Sequence, residues 1–114
     1  MEQVDTVLKE VGLPSEVLEK RARELSGGQL QRVCIARTLL LNPDVIIFDE
    51  SLSGLDPKTQ VQILQLLYKI HGKYQNTFIF IAHDEQLCRA ICDRILILEN
   101  GQFTREIQDL AEPT

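Results

Sequence analysis

The feature that most constrains the fold is a short apolar segment, Val45–Phe48, followed directly by Asp49 and Glu50. Four consecutive β-branched or aromatic residues are typical of a strand that is buried on both faces, as in a parallel sheet. Open α/β sheets bind ligands at the carboxyl ends of their strands, which is where the two acids follow. Adjacent carboxylates repel each other unless a cation or a polarised water lies between them, so the pair suits a magnesium–phosphate site. On this segment alone, a buried strand that ends in two solvated acids remains the alternative.

The first half of the chain predicts two longer helices with a short one between them. Apolar residues recur at helical spacing over Val4–Val11. After a break at Leu13-Pro14, Ser15 can cap a short helix that carries Val17 and Leu18. Ser26 and Gln29 have the spacing of a capping box at the start of a third helix, which is expected to run to about Leu41. The apolar residues expected on its buried stripe are Leu30, Val33, Cys34, Leu40 and Leu41.

The second half alternates helix and strand. Asp56 followed by Pro57 predicts the start of a helix that closes at His71-Gly72. Beyond it we expect a strand over Thr77–Ala82, a helix capped by Asp84, a strand over Arg94–Glu99, a hairpin turn at Asn100-Gly101 and a return strand near Phe103. This alternation favours an α/β fold with parallel pairing of the first two strands.

Composition narrows the class of protein. The chain has 114 residues, enough for one small domain, and a net charge of −5 without a basic block, which argues against a nucleic-acid surface. Acidic Glu2 and Asp5 open the chain where a signal segment would be basic and then apolar, and no apolar run approaches the ~20 residues of a membrane span. We therefore expect a cytosolic protein. Its cysteines, Cys34, Cys88 and Cys92, are expected to be small buried apolar residues in a reducing compartment.

Four motifs stand in a fixed order along the chain. They are Leu-Ser-Gly-Gly-Gln at 25–29, the strand that ends in Asp49 and Glu50, Ser-Gly-Leu-Asp at 53–56 and Ile-Ala-His-Asp at 81–84. In this order they resemble the signature motif, Walker B strand, D-loop and switch histidine of ATP-binding cassette (ABC) ATPases. The resemblance implies an α/β fold that is part of the P-loop NTPase fold, with three α/β/α layers and a mostly parallel sheet. Residues 1–25 would end the helical subdomain, and residues 26–114 would carry the motifs.

The resemblance implies that Ser26, Gly27, Gly28 and Gln29 clamp the γ-phosphate of an ATP that the opposite subunit holds. The start of a helix is suited to binding a phosphate, because its first turn has free N–H groups and glycines let the phosphate approach the backbone. An ordinary capped helix start is the alternative.

The remaining implied roles concern the edge of the sheet. Asp49 would hold Mg²⁺ through water, Glu50 would polarise the attacking water, and His83 would contact the γ-phosphate. Asp56 would communicate across a dimer, and it could also simply cap the next helix. Ser51 stands where the family often has proline, which affects the stiffness of the loop more than its chemistry.

No phosphate-cradling Gly-x-x-x-x-Gly-Lys-Ser/Thr segment, the Walker A half of the family's site, occurs in these 114 residues. The one Gly-Lys pair, Gly72-Lys73, is followed by Tyr74. We expect this polypeptide alone to bind ATP weakly or not at all and not to hydrolyse it, because the P-loop supplies most contacts to the phosphates. An open apolar edge on the Val45–Phe48 strand would favour a strand-exchanged homodimer.

His83-Asp84 and Ile-Cys-Asp-Arg at 91–94 resemble the peptide/nickel importer group. The implied function is the ATP-hydrolysing subunit of an ABC importer for peptides or nickel and other metal chelates, with ATP and Mg²⁺ as cofactors. Its partners would be a second ATPase subunit, identical or not, and membrane permease subunits, which would hold it at the inner face of the cell membrane. The alternatives are a soluble ABC ATPase of DNA repair or translation, and a non-catalytic interaction piece that offers only a signature surface.

Overall fold

The computed structural model describes residues 2–108. Its helices are α1 (Glu2–Glu10), α2 (Gly27–Leu39), α3 (Pro57–Tyr74) and α4 (Glu85–Ile91). Its strands are β1 (Val45–Asp49), β2 (Thr77–Ile81), β3 (Ile95–Glu99) and β4 (Gln102–Ile107). Two short 3₁₀ helices, Ser15–Glu19 and Ala22–Glu24, connect α1 to α2. The order of helices and strands agrees with the sequence prediction.

The strands form two separate pairs. β1 and β2 are parallel, with Val45 opposite Thr77 and Asp49 opposite Ile81, as predicted. β3 and β4 are antiparallel and joined through Asn100, whose φ is 51°. The expected single, mostly parallel sheet is therefore not what residues 2–108 contain. The antiparallel pair confirms the hairpin predicted at Asn100-Gly101, because a two-residue turn joins antiparallel strands.

The core lies on one face of the β1–β2 pair. Ile46 and Phe48 of β1 are buried there, and Phe48 stacks on Phe80 of β2 with ring centroids 4.5 Å apart. The buried residues that the helices and loops add to this core are Val7, Leu8, Val11, Leu13, Val17, Ile35, Ala36, Leu39, Leu52, Ile63, Leu66, Leu67 and Ile70. The segment before the signature motif thus shares one core with the rest of the described chain.

The prediction that β1 is buried on both faces is wrong. Val45 and Ile47 are 50% and 62% exposed, and Ile79 and Ile81 of β2 are 47% and 49% exposed. The described helices cover only the face that carries Ile46 and the phenylalanines. In residues 2–108 the strand pair is therefore covered on one side, and the three layers expected from the resemblance are not complete.

The predicted buried stripe of α2 is wrong at four of its five residues, since only Val33, which is half-buried, packs against the core. Its buried residues are Ile35, Ala36 and Leu39, whereas Cys34 is exposed and Leu41, beyond the end of the helix, is 80% exposed. Leu30 and Leu40 are likewise exposed, at 39% and 41%. The inner face continues toward the start of the helix through Arg32 and Gly28, at spacings of three to four residues. Because those inner positions hold a charged residue and a glycine, the apolar pattern pointed to the wrong face.

Helix α3 is longer than predicted. It passes through His71 and Gly72 to Tyr74, and Gln75 ends it in the left-handed conformation, with φ 56°.

Burial raises the pKa of the Cys88 thiol, and it raises the pKa of the Cys92 thiol to about 11. Cys88 is buried as predicted, and Cys92 is half-buried. None of the helices within residues 2–108 is both long and apolar enough to cross a bilayer.

Candidate functional site

Hydrogen bonds at both its N–H and its carbonyl fix the backbone of Glu50. Its N–H donates to the carbonyl of Ile81 at 2.8 Å, which extends the pairing of β1 with β2 by one residue. Its own carbonyl accepts from the N–H of Ser53 at 3.2 Å and from the Ser53 Oγ at 2.9 Å. These contacts hold Glu50 at φ 55°, a conformation that non-glycine residues rarely adopt and that is found at functional sites.

The side chain of Glu50 meets His83. Oε1 of Glu50 lies 2.7 Å from Nε2 of His83, which follows β2 in the chain. Parallel pairing places both residues at the same carboxyl edge, as the position of the acids predicted. The His83 side chain is 92% exposed and that of Glu50 is 40% exposed. The contact is thus open to solvent and accessible to a ligand. Asp49, at the end of β1, is exposed beside it.

These groups offer part of a metal site. Within residues 2–108, no set of three or more His, Cys, Asp and Glu side chains is placed to hold a metal ion. Mg²⁺, however, is commonly bound by one or two carboxylates together with substrate phosphates. As an exposed carboxylate at the end of β1, Asp49 could supply one ligand of such a site, and its role as a metal ligand stays a prediction.

The signature segment begins α2 with the predicted capping box. Ser26 Oγ accepts from the N–H of Gln29, and Gln29 Oε1 accepts from the N–H of Ser26, both at 3.1 Å. The two side chains are therefore occupied by the backbone. The first-turn N–H groups of Gly27 and Gly28 have no partner position within the helix, so these are the donors that an anion could use.

The structure shows a second reason for glycine at positions 27 and 28, which is the close packing of neighbouring protein segments. A Cβ on Gly28 would lie 2.8 Å from Cγ2 of Thr59, closer than side chains approach, and a Cβ on Gly27 would lie 3.4 Å from Cδ2 of Leu55. The space left by the missing side chains faces the D-loop and the start of α3. The close approach seen here is thus between two protein segments, in addition to the phosphate approach expected.

Asp56 begins α3 as its cap, as predicted. Its Oδ1 accepts from the N–H of Thr59 at 2.7 Å, and Pro57 occupies the first helical turn. The hydrogen bonds from the Thr59 backbone and side chain lower the pKa of the Asp56 carboxyl. The cap role is observed directly, and the role across a dimer stays a prediction.

Three contacts that hold α1 in place were not predicted from the sequence. Nη1 of Arg32 donates to the carbonyl of Val11, just beyond α1, at 2.6 Å. Glu10 accepts from Lys73 and from the hydroxyl of Tyr74 at the end of α3. Burial and the Glu10 carboxylate raise the pKa of Tyr74 to about 12. These partners are separated by 21 to 64 residues, and local sequence patterns do not predict contacts between residues so far apart.

Comparison with known proteins agrees with this arrangement. The family described as ABC transporter matches residues 1–53. The chain is 44% identical over 105 residues to the metal-staphylopine import system ATP-binding protein CntF of Staphylococcus aureus, covering 92% of this chain and 42% of that protein. It is 43% identical over 97 residues to the nickel import ATP-binding protein NikE of Escherichia coli, covering 85% of this chain and 36% of that protein. The chain thus spans less than half the length of these relatives.

A solved structure shows the same fold. The dimeric post-hydrolysis state of the ATP-binding cassette MJ0796, bound to ADP and Pi, superposes with a TM-score of 0.78 at 36% identity, covering 94% of this chain and 46% of that one. The described strands, helices and motif positions thus correspond to part of such a cassette. This chain belongs to the ABC transporter family and corresponds to a part of its ATP-binding domain that carries the signature motif and the Walker B strand.

Proposed function

We propose that this chain is part of an ATP-hydrolysing subunit that powers an ABC importer. The observation that carries the proposal is the contact between Glu50 and His83 at the carboxyl edge of β1 and β2, beside Asp49. A carboxylate and an imidazole within hydrogen-bond distance, open to solvent and fixed by strand pairing, suit the positioning of a water next to a phosphate.

Each residue then has a role in the proposed reaction. Glu50 would orient and polarise the attacking water, and His83 holds the Glu50 carboxylate and would contact a terminal phosphate. Asp49 supports Mg²⁺, which when bound would neutralise charge on the phosphates. Hydrogen bonds with Ile81 and Ser53 fix the backbone of Glu50 in this position.

The signature turn would act on a different nucleotide. The free first-turn N–H groups of Gly27 and Gly28, at the positive end of α2, can donate hydrogen bonds to the oxygens of a phosphate held by another subunit. Ser26 and Gln29 shape this turn through the capping box. The dimeric cassette bound to ADP and Pi, which shares this fold, supports a paired arrangement, and we infer that Asp56 would then lie near the second subunit.

The names of the relatives support an importer as the larger assembly. CntF belongs to a metal-staphylopine import system and NikE to nickel import, so we infer metal or metal-chelate uptake, with peptides as the related substrate class. Permease subunits would hold the ATPase at the inner face of the cell membrane. ATP and Mg²⁺ are the proposed cofactors.

A chimera tests the proposal. This chain would replace the matching 105 residues of CntF, whose remaining sequence completes the domain. We expect Mg²⁺-dependent ATP hydrolysis that falls by ~10²–10⁴-fold in Glu50→Gln, since a positioned general base contributes this much. Import of metal-staphylopine by a Staphylococcus aureus strain that lacks its own CntF would test the substrate class. A folded chimera that hydrolyses ATP equally well with Glu50→Gln would contradict the assignment.

A non-catalytic role is the second candidate, because the capped signature turn at Ser26 and Gln29 forms within this chain and could contact a nucleotide held by a complete subunit. In that case the 114-residue polypeptide would still bind a complete ATPase subunit through its signature turn, and only in the presence of ATP. ATP hydrolysis by the chimera would support the catalytic function, whereas an ATP-dependent complex with CntF, measured by calorimetry, together with a folded chimera that does not hydrolyse ATP would support the non-catalytic one.

A further inference from the structure

Thr59 joins two segments that the proposed function uses separately. It lies half-buried in the first turn of α3, between the D-loop and the signature turn. We propose that Thr59 is a positioning residue that fixes the signature turn at Gly28 against the Asp56 cap, so that a displacement of either segment moves the other.

The first contact is with the D-loop. The N–H of Thr59 donates to Oδ1 of Asp56 at 2.7 Å, a short charge-assisted hydrogen bond. This bond fixes the backbone of Thr59 relative to the Asp56 carboxylate. A push on the Thr59 side chain is therefore transmitted to the group that ends the D-loop.

The second contact is with the signature turn. Cγ2 of Thr59 fills the space where Gly28 has no side chain, and a Cβ there would come within 2.8 Å of it. Threonine is branched at Cβ and stiff at χ1, so this methyl group cannot swing away as the end of a long side chain would. Any side chain at position 28 must therefore displace either α2 or the start of α3.

The neighbouring glycine provides a matched control. A Cβ on Gly27 would meet Cδ2 of Leu55 at 3.4 Å, which is close to ordinary van der Waals contact with the end of a flexible side chain. Gly27 and Gly28 occupy adjacent positions in the first turn of α2, and neither has a positive φ. The two substitutions to alanine therefore change helix propensity alike and differ in the contact with Thr59.

The functional meaning of this contact rests on the proposed function. If the signature turn clamps an ATP and the D-loop faces the partner subunit, Thr59 links nucleotide contact to the dimer interface within one chain. The contact is made by a methyl group and a backbone N–H. It therefore needs no bound nucleotide to form, and it can be tested without ATP.

A double-mutant cycle on the 114-residue chain tests the proposal. Its variants are Gly28→Ala, Thr59→Ser, Thr59→Val and the double variants, with Gly27→Ala as control. Urea denaturation should show that Gly28→Ala raises the unfolding equilibrium constant by about tenfold, whereas Gly27→Ala leaves it unchanged or lowers it. In the Thr59→Ser background, which lacks only the methyl group, the penalty of Gly28→Ala should disappear, and in the Thr59→Val background it should persist.

A second measurement separates positioning from stability alone. The pKa of the Asp56 carboxyl, measured by NMR, should rise toward its ordinary value in Gly28→Ala and return to the low value in Gly28→Ala/Thr59→Ser. An equal loss for Gly28→Ala with threonine or serine at position 59, or an unchanged Asp56 pKa, would overturn the proposal. If Gly28→Ala does not fold, rescue by Thr59→Ser and not by Thr59→Val decides the question. None of these readouts uses ATP, so failure of the proposed ATPase function would be seen separately.

Discussion

The contact between Arg32 and the end of α1 leads to a sharp prediction about stability. Arg32 lies in the signature helix, and its Nη1 donates to the carbonyl of Val11 at 2.6 Å. Val11 is fully buried, and its carbonyl lies at the negative end of α1. Replacing Arg32 with methionine keeps most of the length and volume of the side chain but removes the donor and the charge.

The expected loss of unfolding free energy follows from removing the hydrogen bond and the charge. A hydrogen bond to a charged group contributes about 1.5–3 kcal/mol, and a cation at a helix C-terminus adds about 0.3–1 kcal/mol. Because Arg32 is half-buried, the lower part of each range applies, and we expect Arg32→Met to lower the free energy of unfolding by about 2 kcal/mol. Arg32→Lys should lose less, since the charge remains and only the geometry of the guanidinium is lost.

Urea denaturation followed by circular dichroism measures this difference. Arg37→Met is the matched control, because Arg37 lies exposed on the same helix. Its loss should stay below about 0.5 kcal/mol, as is usual for surface substitutions. If the two variants unfold at the same urea concentration with the same slope, the Arg32 contact does not hold α1 against the signature helix and the reasoning is refuted.

Three further predictions concern other parts of the fold. In a Tyr68→Phe variant, which leaves Tyr74 as the single tyrosine, absorbance titration of the Tyr74 hydroxyl should give a midpoint near pH 12. The stability that the Glu10 contact contributes is full below pH 10 and is lost as the pH rises from 10 to about 12. A midpoint near pH 10 would contradict this prediction. Gln75→Gly should raise the free energy of unfolding by about 0.5–1 kcal/mol in thermal melts, because glycine adopts the φ of 56° without strain, and an unchanged melting temperature would count against this. Ile47→Lys should weaken self-association in sedimentation equilibrium, because a lysine on the open edge strand β1 opposes its pairing with another copy, whereas a wild-type chain that is already monomeric would refute the expected strand-exchanged dimer.

Sequence patterns predicted the features that depend on neighbouring residues. The capping box of Ser26 and Gln29 and the cap of Asp56 were found as expected, because each joins residues three apart. The hairpin turn at Asn100 was found for the same reason. The meeting of Glu50 and His83 was also foreseeable, since parallel strands bring their carboxyl ends to one edge.

Helix faces and helix ends were less well predicted. The inner face of α2 holds Gly28 and Arg32, so its apolar periodicity is weak and the exposed leucines suggested the wrong stripe. Gly72 looked like a helix end but lies inside α3, because the side of the helix that carries Ile70 is buried in the core and outweighs the propensity of one glycine.

The sequence alone determined the order of elements, the caps and turns, and which chemical groups lie at the edge of the strand pair. Only the tertiary structure decided that Gly28 packs on Thr59, that Arg32 holds Val11, and that one face of β1 is exposed. The physical reason is the distance along the sequence between the residues that make each contact. Caps and turns are fixed by hydrogen bonds within a few residues, whereas these contacts join distant segments whose positions depend on how the whole core packs.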